Sequence, residues 1–256
     1  MKSIAVGVFA LTVAVGSSAL AADMAVKAPP LPIASSLNWA GYYAGLNLGM
    51  GWSDPSVDLA SFSAPFAAAV AAGQVPLSIP LSQKGVIGGG QVGYNWQLGT
   101  FVLGLEADFQ GSGIRGSNSF FYAGPAVPTL TDANSQLDWF GTVRGRLGFA
   151  VTPNVLAFAS GGFGYGLIRS SVNLVGNPAA AGNFHGSVDD FKGGWAIGGG
   201  AEWAILPRWT VKAEYLHIDL GQSTVTINDP AFPTSNASYT FRNRYDIVRA
   251  GVDYHF

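Results

Sequence analysis

Charged side chains recur at alternate positions in several segments of this 256-residue chain. Glu106 and Asp108 are separated by one residue, and so are Arg144 and Arg146. Successive side chains of a strand point to opposite faces, so each such pair shares one face. Two carboxylates on one face could perform general acid–base chemistry. Because two arginines have the same spacing on the neighbouring predicted strand, we favour a ladder of ion pairs over a catalytic pair.

Nine ionisable residues of the predicted strands lie on one parity within their strands, and large apolar residues such as Leu103, Leu105, Val143 and Leu147 lie on the other. At the bilayer midplane, an outward Arg or Lys costs about 2–4 kcal/mol. We therefore predict that the polar face is enclosed. The ionisable side chains would form a network in the lumen of a barrel: Glu106, Asp108, Arg144, Arg146, Glu202, Lys212, Glu214, Arg249 and Asp253.

Two further patterns could indicate cofactor or metal binding. Residues 88–93 match the G-x-G-x-x-G sequence of dinucleotide-binding proteins, but that fingerprint requires a following helix and no helical pattern follows. His185, His217 and His255 are scattered without the spacing of metal ligands. We predict a glycine-rich strand at residues 88–93, and neither a metal site nor a cofactor.

One group of residues resembles a hydrolase or acyltransferase constellation on a barrel rim. Ser187 lies near His185 and near Asp189 and Asp190 in a segment that we predict to be a loop. Loops favour Ser and Asp for conformational reasons alone. We therefore predict ordinary solvated loop residues here and no enzymatic activity.

Composition favours a membrane protein built from strands. Charged residues make up 11% of the chain, against about 25% in an average soluble domain, while hydrophobic residues make up 48%. Beyond the first 21 residues, no run of about 18 apolar residues lacks charges, prolines and glycine clusters, so the sequence does not predict a helical membrane span there. The net charge of −2 gives no indication of nucleic-acid binding, and the absence of cysteine excludes disulfides.

The N-terminal segment has the features of a secretory signal. A lysine at position 2 precedes an apolar stretch, and Ala19-Leu20-Ala21 has the small-x-small pattern of a cleavage site. We predict a signal peptide over residues 1–21, with cleavage after Ala21 or Ala22; an uncleaved membrane anchor is the alternative. Residues 22–38 are predicted to form a proline-rich periplasmic lead-in, and residues 39–256 an outer-membrane β-barrel.

We predict an all-β fold, an eight-stranded antiparallel up-and-down transmembrane barrel with short periplasmic turns and long external loops. A bulge is expected at Gly161-Gly162, and the apolar segment Ala64–Ala72 is expected to form a short helix or to contact a partner. The predicted strands are 39–53, 83–97, 101–112, 137–151, 155–170, 191–205, 209–220 and 244–256. The predicted external loops are 54–82, 113–136, 171–190 and 221–243.

Aromatic residues on the outward parity occur near both ends of the predicted strands. Phe101 and Phe109, on one strand, are separated by 8 residues. At about 3.4 Å per residue and about 45° of tilt, this corresponds to about 19 Å along the membrane normal, close to the band of about 25 Å between barrel girdles. We predict an aromatic girdle that includes Tyr42, Trp96, Phe101, Trp139, Phe149, Trp195, Trp203, Trp209 and Tyr254.

Four segments resemble a known family. Residues 38–49 (NWAGYYAGLNLG), 88–97 (GGGQVGYNWQ), 101–110 (FVLGLEADFQ) and 248–256 (VRAGVDYHF) are similar to small alphaproteobacterial outer-membrane immunogenic or opacity-type, porin-like β-barrel proteins. The resemblance covers essentially the whole predicted mature chain. It implies an eight-stranded barrel at the cell surface and supplies no activity. The terminal Phe256 resembles the C-terminal aromatic signal recognised by the barrel assembly machinery.

Two functions are consistent with these patterns. The first is a surface-exposed structural and interaction barrel with an antigenic role, whose lumen is filled by ion pairs and whose external loops contact host or envelope partners. The alternative is a narrow porin-like channel for small solutes. Outer-membrane lipid and the barrel assembly machinery are the partners common to both, and nucleic acid is not expected.

Overall fold

The computed structural model describes residues 38–124, 127–176 and 182–256. The predicted signal peptide and nearly all of the predicted lead-in lie outside these ranges. Across the three ranges, no helix combines the length and hydrophobicity needed to cross a membrane.

The described residues form eleven antiparallel strands, eight of which close into a ring. Neighbours in the ring follow the order β1, β4, β5, β7, β8, β9, β10 and β11, and β11 pairs with β1 to close it. The eight-stranded barrel prediction is confirmed. The strands are β1 (Gly41–Ser53), β2 (Ser56–Phe62), β3 (Ser78–Pro80), β4 (Gln83–Leu98), β5 (Phe101–Ser112), β6 (Arg115–Tyr122), β7 (Thr129–Thr152), β8 (Val155–Gly176), β9 (Asn183–Leu206), β10 (Trp209–Asn228) and β11 (Asn236–His255).

The barrel strands continue well past the predicted membrane band on the external side. β7 and β9 each contain 24 residues. At about 3.4 Å per residue and about 45° of tilt, each extends about 58 Å along the normal, more than twice the height of the apolar band. The segments predicted as loops 113–136, 171–190 and 221–243 are therefore largely strand, and that part of the prediction was wrong.

The connection between β1 and β4 has structure of its own. β2 pairs with β11 and with β3, and a 3₁₀ turn (Ala64–Phe66) followed by helix α1 (Ala67–Ala71) joins β2 to β3. The helix falls within the apolar segment 64–72, for which the sequence predicted either a short helix or a contact with a partner.

Three two-residue turns connect the strands at the opposite, periplasmic end. Gly99-Thr100, Pro153-Asn154 and Pro207-Arg208 occupy these turns, and Gly99 has a φ of 65°, which favours glycine. The bulge expected at Gly161-Gly162 is absent, because both residues pair in continuous register with β7 and β9. The register of β7 against β8 shifts instead between Leu137 and Trp139 and between Ala150 and Thr152.

The inward face of β10 changes from charged to apolar along the strand. On β10, Lys212 and Glu214 are followed by Leu216, Ile218 and Leu220, all of them buried. The sequence predicted a polar inner face, and the external half departs from that prediction because branched aliphatic residues share its parity. Inward positions there pack against each other inside the closed sheet rather than against water.

Inward apolar residues form three layers along the bore, and a charged layer lies between the lower and the middle one. The lower layer, at the periplasmic end, contains Trp39, Val102 and Leu156. The middle layer contains Ile87, Ile114, Leu137, Phe140, Ile168, Ala196, Leu216, Ile218, Leu220, Tyr245 and Ile247. The upper layer contains Val57, Phe66, Val75, Ile79, Leu81, Ala133, Val172, Leu174, Phe184, Val225, Ile227, Ala237, Tyr239 and Phe241.

Candidate functional site: an ion cluster inside the barrel

Five strands direct charged side chains toward one another between the lower and middle layers. Pairing of β5 with β7 places Glu106 opposite Arg144, and pairing of β10 with β11 places Glu214 opposite Arg249. β9 contributes Glu202 at a position paired with Lys212. The alternating pattern of each strand therefore brings side chains distant in sequence into one cluster within the bore.

Arg144 is the most extensively bonded cation of this cluster. Its Nη2 donates to Glu106 Oε1 at 2.7 Å and to Asp108 Oδ2 at 3.1 Å, and its Nη1 pairs with Glu214 Oε1. Its Nε also donates to Thr142 Oγ1 at 2.9 Å. The residue is 1% exposed. Three carboxylates thus share one fully enclosed guanidinium through charge-assisted hydrogen bonds.

Arg249 and Lys212 complete the neutralisation of the same carboxylates. Arg249 Nη2 lies 3.0 Å from Asp108 Oδ2 and 2.7 Å from Glu214 Oε2. Lys212 Nζ donates to Glu106 Oε2 at 2.8 Å. Arg144, Arg249 and Lys212 therefore face three carboxylates, an equal number of opposite charges in a site without solvent exposure.

A second group lies toward the periplasmic end. Arg146 Nη2 pairs with Glu202 Oε2, and the same guanidinium carbon lies 3.9 Å from the centre of the Phe158 ring. Thr210 Oγ1 donates to Glu202 Oε1 at 2.6 Å, and His255 Nε2 lies 3.2 Å from that oxygen. Arg146 is therefore held by the carboxylate of Glu202 and by the face of the Phe158 ring.

Asp253 is the one predicted network residue that the structure leaves outside the ion pairs. Among the described residues no Arg, Lys or His nitrogen lies within 4 Å of its carboxylate. Gln91 Nε2 donates to Asp253 Oδ1 at 2.6 Å, and Asn47 Nδ2 donates to Gln91 Oε1 at 3.1 Å. The other eight predicted residues lie in the two charged groups.

Tyr43 joins the two groups and was missed by the sequence analysis. Its hydroxyl donates to Glu106 Oε2 at 2.7 Å and accepts from Arg146 Nη1 at 3.4 Å. His255, also missed, stacks on the Tyr43 ring with centroids 5.5 Å apart. Both residues have the inward parity in the sequence. An aromatic residue next to Tyr42 at the end of a strand does not, however, indicate a contact with charged side chains in the lumen.

The predicted girdle residues lie on the outside of the barrel. Trp139 and Tyr254 are half-buried against neighbouring rings, and the other seven are exposed. Phe101 and Phe149 contact across β5 and β7 with centroids 5.5 Å apart. Phe256 is 73% exposed, and its backbone N–H donates to the Tyr42 carbonyl at 3.0 Å.

The motifs set aside in the sequence analysis fall on strands. Residues 88–93 are the interior of β4, and no helix follows them. His185, Ser187 and Asp189 are alternate residues of β9 rather than loop residues, so their side chains project in a row from one face. Within the described ranges, no group of three or more His, Cys, Asp or Glu residues could hold a metal ion.

A closed ring of tilted antiparallel strands with apolar side chains outside and paired charges inside defines an outer-membrane β-barrel protein. Residues 8–256 match the family model described as outer membrane protein beta-barrel domain, and the chain belongs to this family. It is an outer-membrane protein.

Known relatives agree with this assignment. The chain is 37% identical to the 31 kDa outer-membrane immunogenic protein of Brucella melitensis, with 100% of both chains covered. It is 27% identical to the 22 kDa outer membrane protein of Rhizobium leguminosarum bv. viciae over 56% of this chain and 58% of that protein. Among solved structures, the outer membrane protein OprG from Pseudomonas aeruginosa aligns with a TM-score of 0.47 and 10% identity, covering 86% of this chain and 99% of OprG.

Proposed function

We propose that this protein is a non-conducting barrel that supports the envelope and presents its external end to partners at the cell surface. The observation that carries the proposal is the occupied interior. Lower layer, ion cluster, middle layer and upper layer follow one another along the bore, and each contains fully buried side chains. Among the described residues, such a stack of buried side chains supports a bore that is closed to a hydrated solute.

The segment between β1 and β4 supports closure at the external end. Phe66, Val75 and Ile79 from this segment belong to the upper layer, where Phe66 packs edge-on against Phe184 with centroids 4.8 Å apart. The hydroxyl of Tyr239 lies 3.4 Å from the Pro76 carbonyl oxygen. A segment anchored in this way acts as a lid over the upper layer.

Inward glycines do not open a passage between these layers. A Cβ atom on Gly198 would lie 2.6 Å from the Tyr215 carbonyl oxygen and 3.1 Å from Leu216 Cδ1. A Cβ atom on Gly104 would lie 3.1 Å from the Tyr94 carbonyl oxygen. Neighbouring atoms already occupy the space beside these glycines.

Single-channel recording in planar bilayers tests the proposal. We expect the folded protein to give no steady conductance at potentials where an open porin, measured in the same bilayers, conducts. Folding before insertion is checked by heat-modifiable migration on a detergent gel. A reproducible open level from the folded form would contradict the proposal.

One observation favours the alternative of a narrow channel. Several buried polar atoms near the ion cluster have no hydrogen-bond partner among the described residues, including both side-chain polar atoms of Asn95, Asp108 Oδ1 and Arg146 Nε. Buried polar atoms are normally satisfied, and water is the partner that fits such sites. A chain of waters through this level would conduct small ions only if the apolar layers also opened, which recording under applied voltage would detect.

We propose that this protein acts through contacts at the cell surface and not through catalysis. The Brucella melitensis relative is named for immunogenicity, which is a property of exposed segments, and the strand extension here places the loop tips far from the membrane. We propose that these tips contact host or envelope partners, and that β11, ending in Phe256, contacts the barrel assembly machinery. Antibodies against residues 228–236 should label intact cells, and Phe256 deletion should reduce the heat-modifiable form in the membrane.

A further inference from the structure

A block of polar side chains occupies the outer surface of β6–β9. It lies on the external side of an aromatic cluster formed by Phe109, Trp139 and Phe191. Its residues share the outward parity and pair laterally in two rows across the four strands. They surround a hollow of about 500 Å³. The first row is Arg115, Gln136, Arg169 and Asp189, and the second row is Ser117, Asn134, Ser171 and Ser187.

Two cations at one end of this block stand opposite each other without a counterion. Lys84 of β4 pairs directly with Arg115 of β6, and both side chains are exposed. Among the described residues, no carboxylate oxygen lies within 4 Å of either charged group, whereas Arg169 lies 2.9 Å from Asp138. Like charges placed directly opposite in a sheet destabilise it unless an anion lies between them.

The other cations of the external half, exposed or half-buried, are already compensated. Lys192, Arg242 and Arg244 each have a side-chain nitrogen within 4 Å of an aspartate oxygen. An external anion would therefore be bound most strongly at the Lys84–Arg115 pair. Arginine suits phosphate in particular, because its guanidinium can form two parallel hydrogen bonds with it.

The aromatic cluster lies on the membrane side of the block. Trp139 follows Gln136 by three residues on β7, and Phe191 follows Asp189 by two on β9. Ring centroids of Trp139 lie 5.4 Å from Phe109 and 5.9 Å from Phe191. Exposed aromatic rings of this kind mark the boundary between acyl chains and headgroups.

We propose that this surface binds the headgroup of a phosphorylated glycolipid in the outer leaflet. Lys84 and Arg115 bind the phosphate, while the hydroxyl and amide groups of the second row hydrogen-bond to the sugar. The Trp139 cluster contacts the first carbons of the acyl chains. The lipid, phosphate and sugar of such an amphiphile thus each have a matching part of the surface, with the Trp139 cluster on the membrane side and the two polar rows external to it.

Native mass spectrometry of the folded full barrel in detergent tests the assignment. The probes are lipid A with both phosphates and lipid A without phosphate. We expect the wild-type protein to prefer the phosphorylated form by about tenfold, which corresponds to about 1.4 kcal/mol. The double variant Lys84→Gln/Arg115→Gln should lose this preference.

Arg208→Gln is the matched control, because it removes an exposed cation in the periplasmic turn. It should keep the preference, and heat-modifiable migration should show all variants folded. Millimolar inorganic phosphate should not displace the lipid. An unchanged preference in the double variant, equal binding of the two lipids, or displacement by inorganic phosphate would each overturn the proposal.

Discussion

Arg144 concentrates the electrostatic balance of the lumen in one side chain. It contacts Glu106, Asp108 and Glu214, none of which is exposed. Arg144→Leu would leave these carboxylates with fewer cations in an enclosed site, and breaking a buried pair in this way costs about 3–5 kcal/mol. Leu103→Ala removes outward apolar area and should cost about 1–2 kcal/mol. Urea unfolding in lipid measures both free energies, and we expect the larger loss for Arg144→Leu.

Equal or smaller loss for Arg144→Leu would show that water in the lumen solvates the carboxylates adequately. The sequence predicted the members of this cluster because parity alone selects them. It could not predict that Asp253 would bond to Gln91 instead of a cation, since that depends on which side chains meet across the bore. Contacts such as Tyr43 with Glu106 depend on the stagger of the closed sheet, which a single strand does not encode.

At the scale of elements, the phase of β8 can be tested with two adjacent glycines. A Cβ atom on Gly162 would lie 2.8 Å from the Arg144 Cα and would meet the Val143 carbonyl oxygen, whereas one on Gly161 would come no closer than 3.8 Å to any neighbour. We expect Gly162→Ala to destabilise the barrel by about 1–3 kcal/mol. Gly161→Ala should be neutral or stabilising by about 0.5 kcal/mol. The reverse order in urea unfolding would mean that the strand has the opposite phase.

One carboxylate joins the external tip of β9 to the connection between β10 and β11. Asp229 accepts hydrogen bonds from the backbone N–H of Asn183 at 2.6 Å and of Ala231 at 2.8 Å, and these bonds hold its pKa below the usual range. A lowered pKa means that this stabilisation is complete above the unfolded value of about 4 and is lost as the pH falls through the folded value.

Hydrogen exchange of the Asn183 and Ala231 amides, compared between wild type and Asp229→Asn at each pH, measures this contribution. We expect wild-type amides to be better protected at pH 6 and the difference to shrink below about pH 4. The comparison at equal pH cancels the intrinsic pH dependence of exchange. A protection ratio that stays constant from pH 6 to pH 2 would contradict the assigned role of the carboxylate.

The sequence located the eight strands and three tight turns because apolar alternation and Gly or Pro punctuation are local signals. It failed on the external extension for a physical reason. Segments such as Thr129–Gln136 alternate small, mostly polar residues inward with mixed residues outward, and this composition is typical of loops. There the strands are maintained by lateral pairing, as β7 shows by pairing with β6 and β8 through this stretch. Such pairing is not a local property.

At the scale of the whole molecule, polar and apolar layers have complementary roles. The ion pairs fix which side chains contact each other across the bore. Enclosing these charges costs desolvation free energy, which their multiple hydrogen bonds offset. The middle and upper layers contribute hydrophobic packing inside a barrel whose outer surface contacts lipid and therefore gains less from burial. Stability and closure thus arise from the same interior side chains.

Because the layers lie in series along the bore, opening one should not open the barrel. Phe140→Ala creates space in the middle layer, and Phe158→Ala creates space beside Arg146 at the level of the ion cluster. In planar bilayers, with Leu103→Ala as the lipid-facing control, we expect no steady conductance from either single variant or from the double variant, because the lower and upper layers remain in place. Each truncation costs about 3–5 kcal/mol, so heat-modifiable migration must first show the folded form. A steady conductance from Phe140→Ala alone would mean that neither the ion cluster nor the remaining apolar layers are a barrier, and would contradict closure in series.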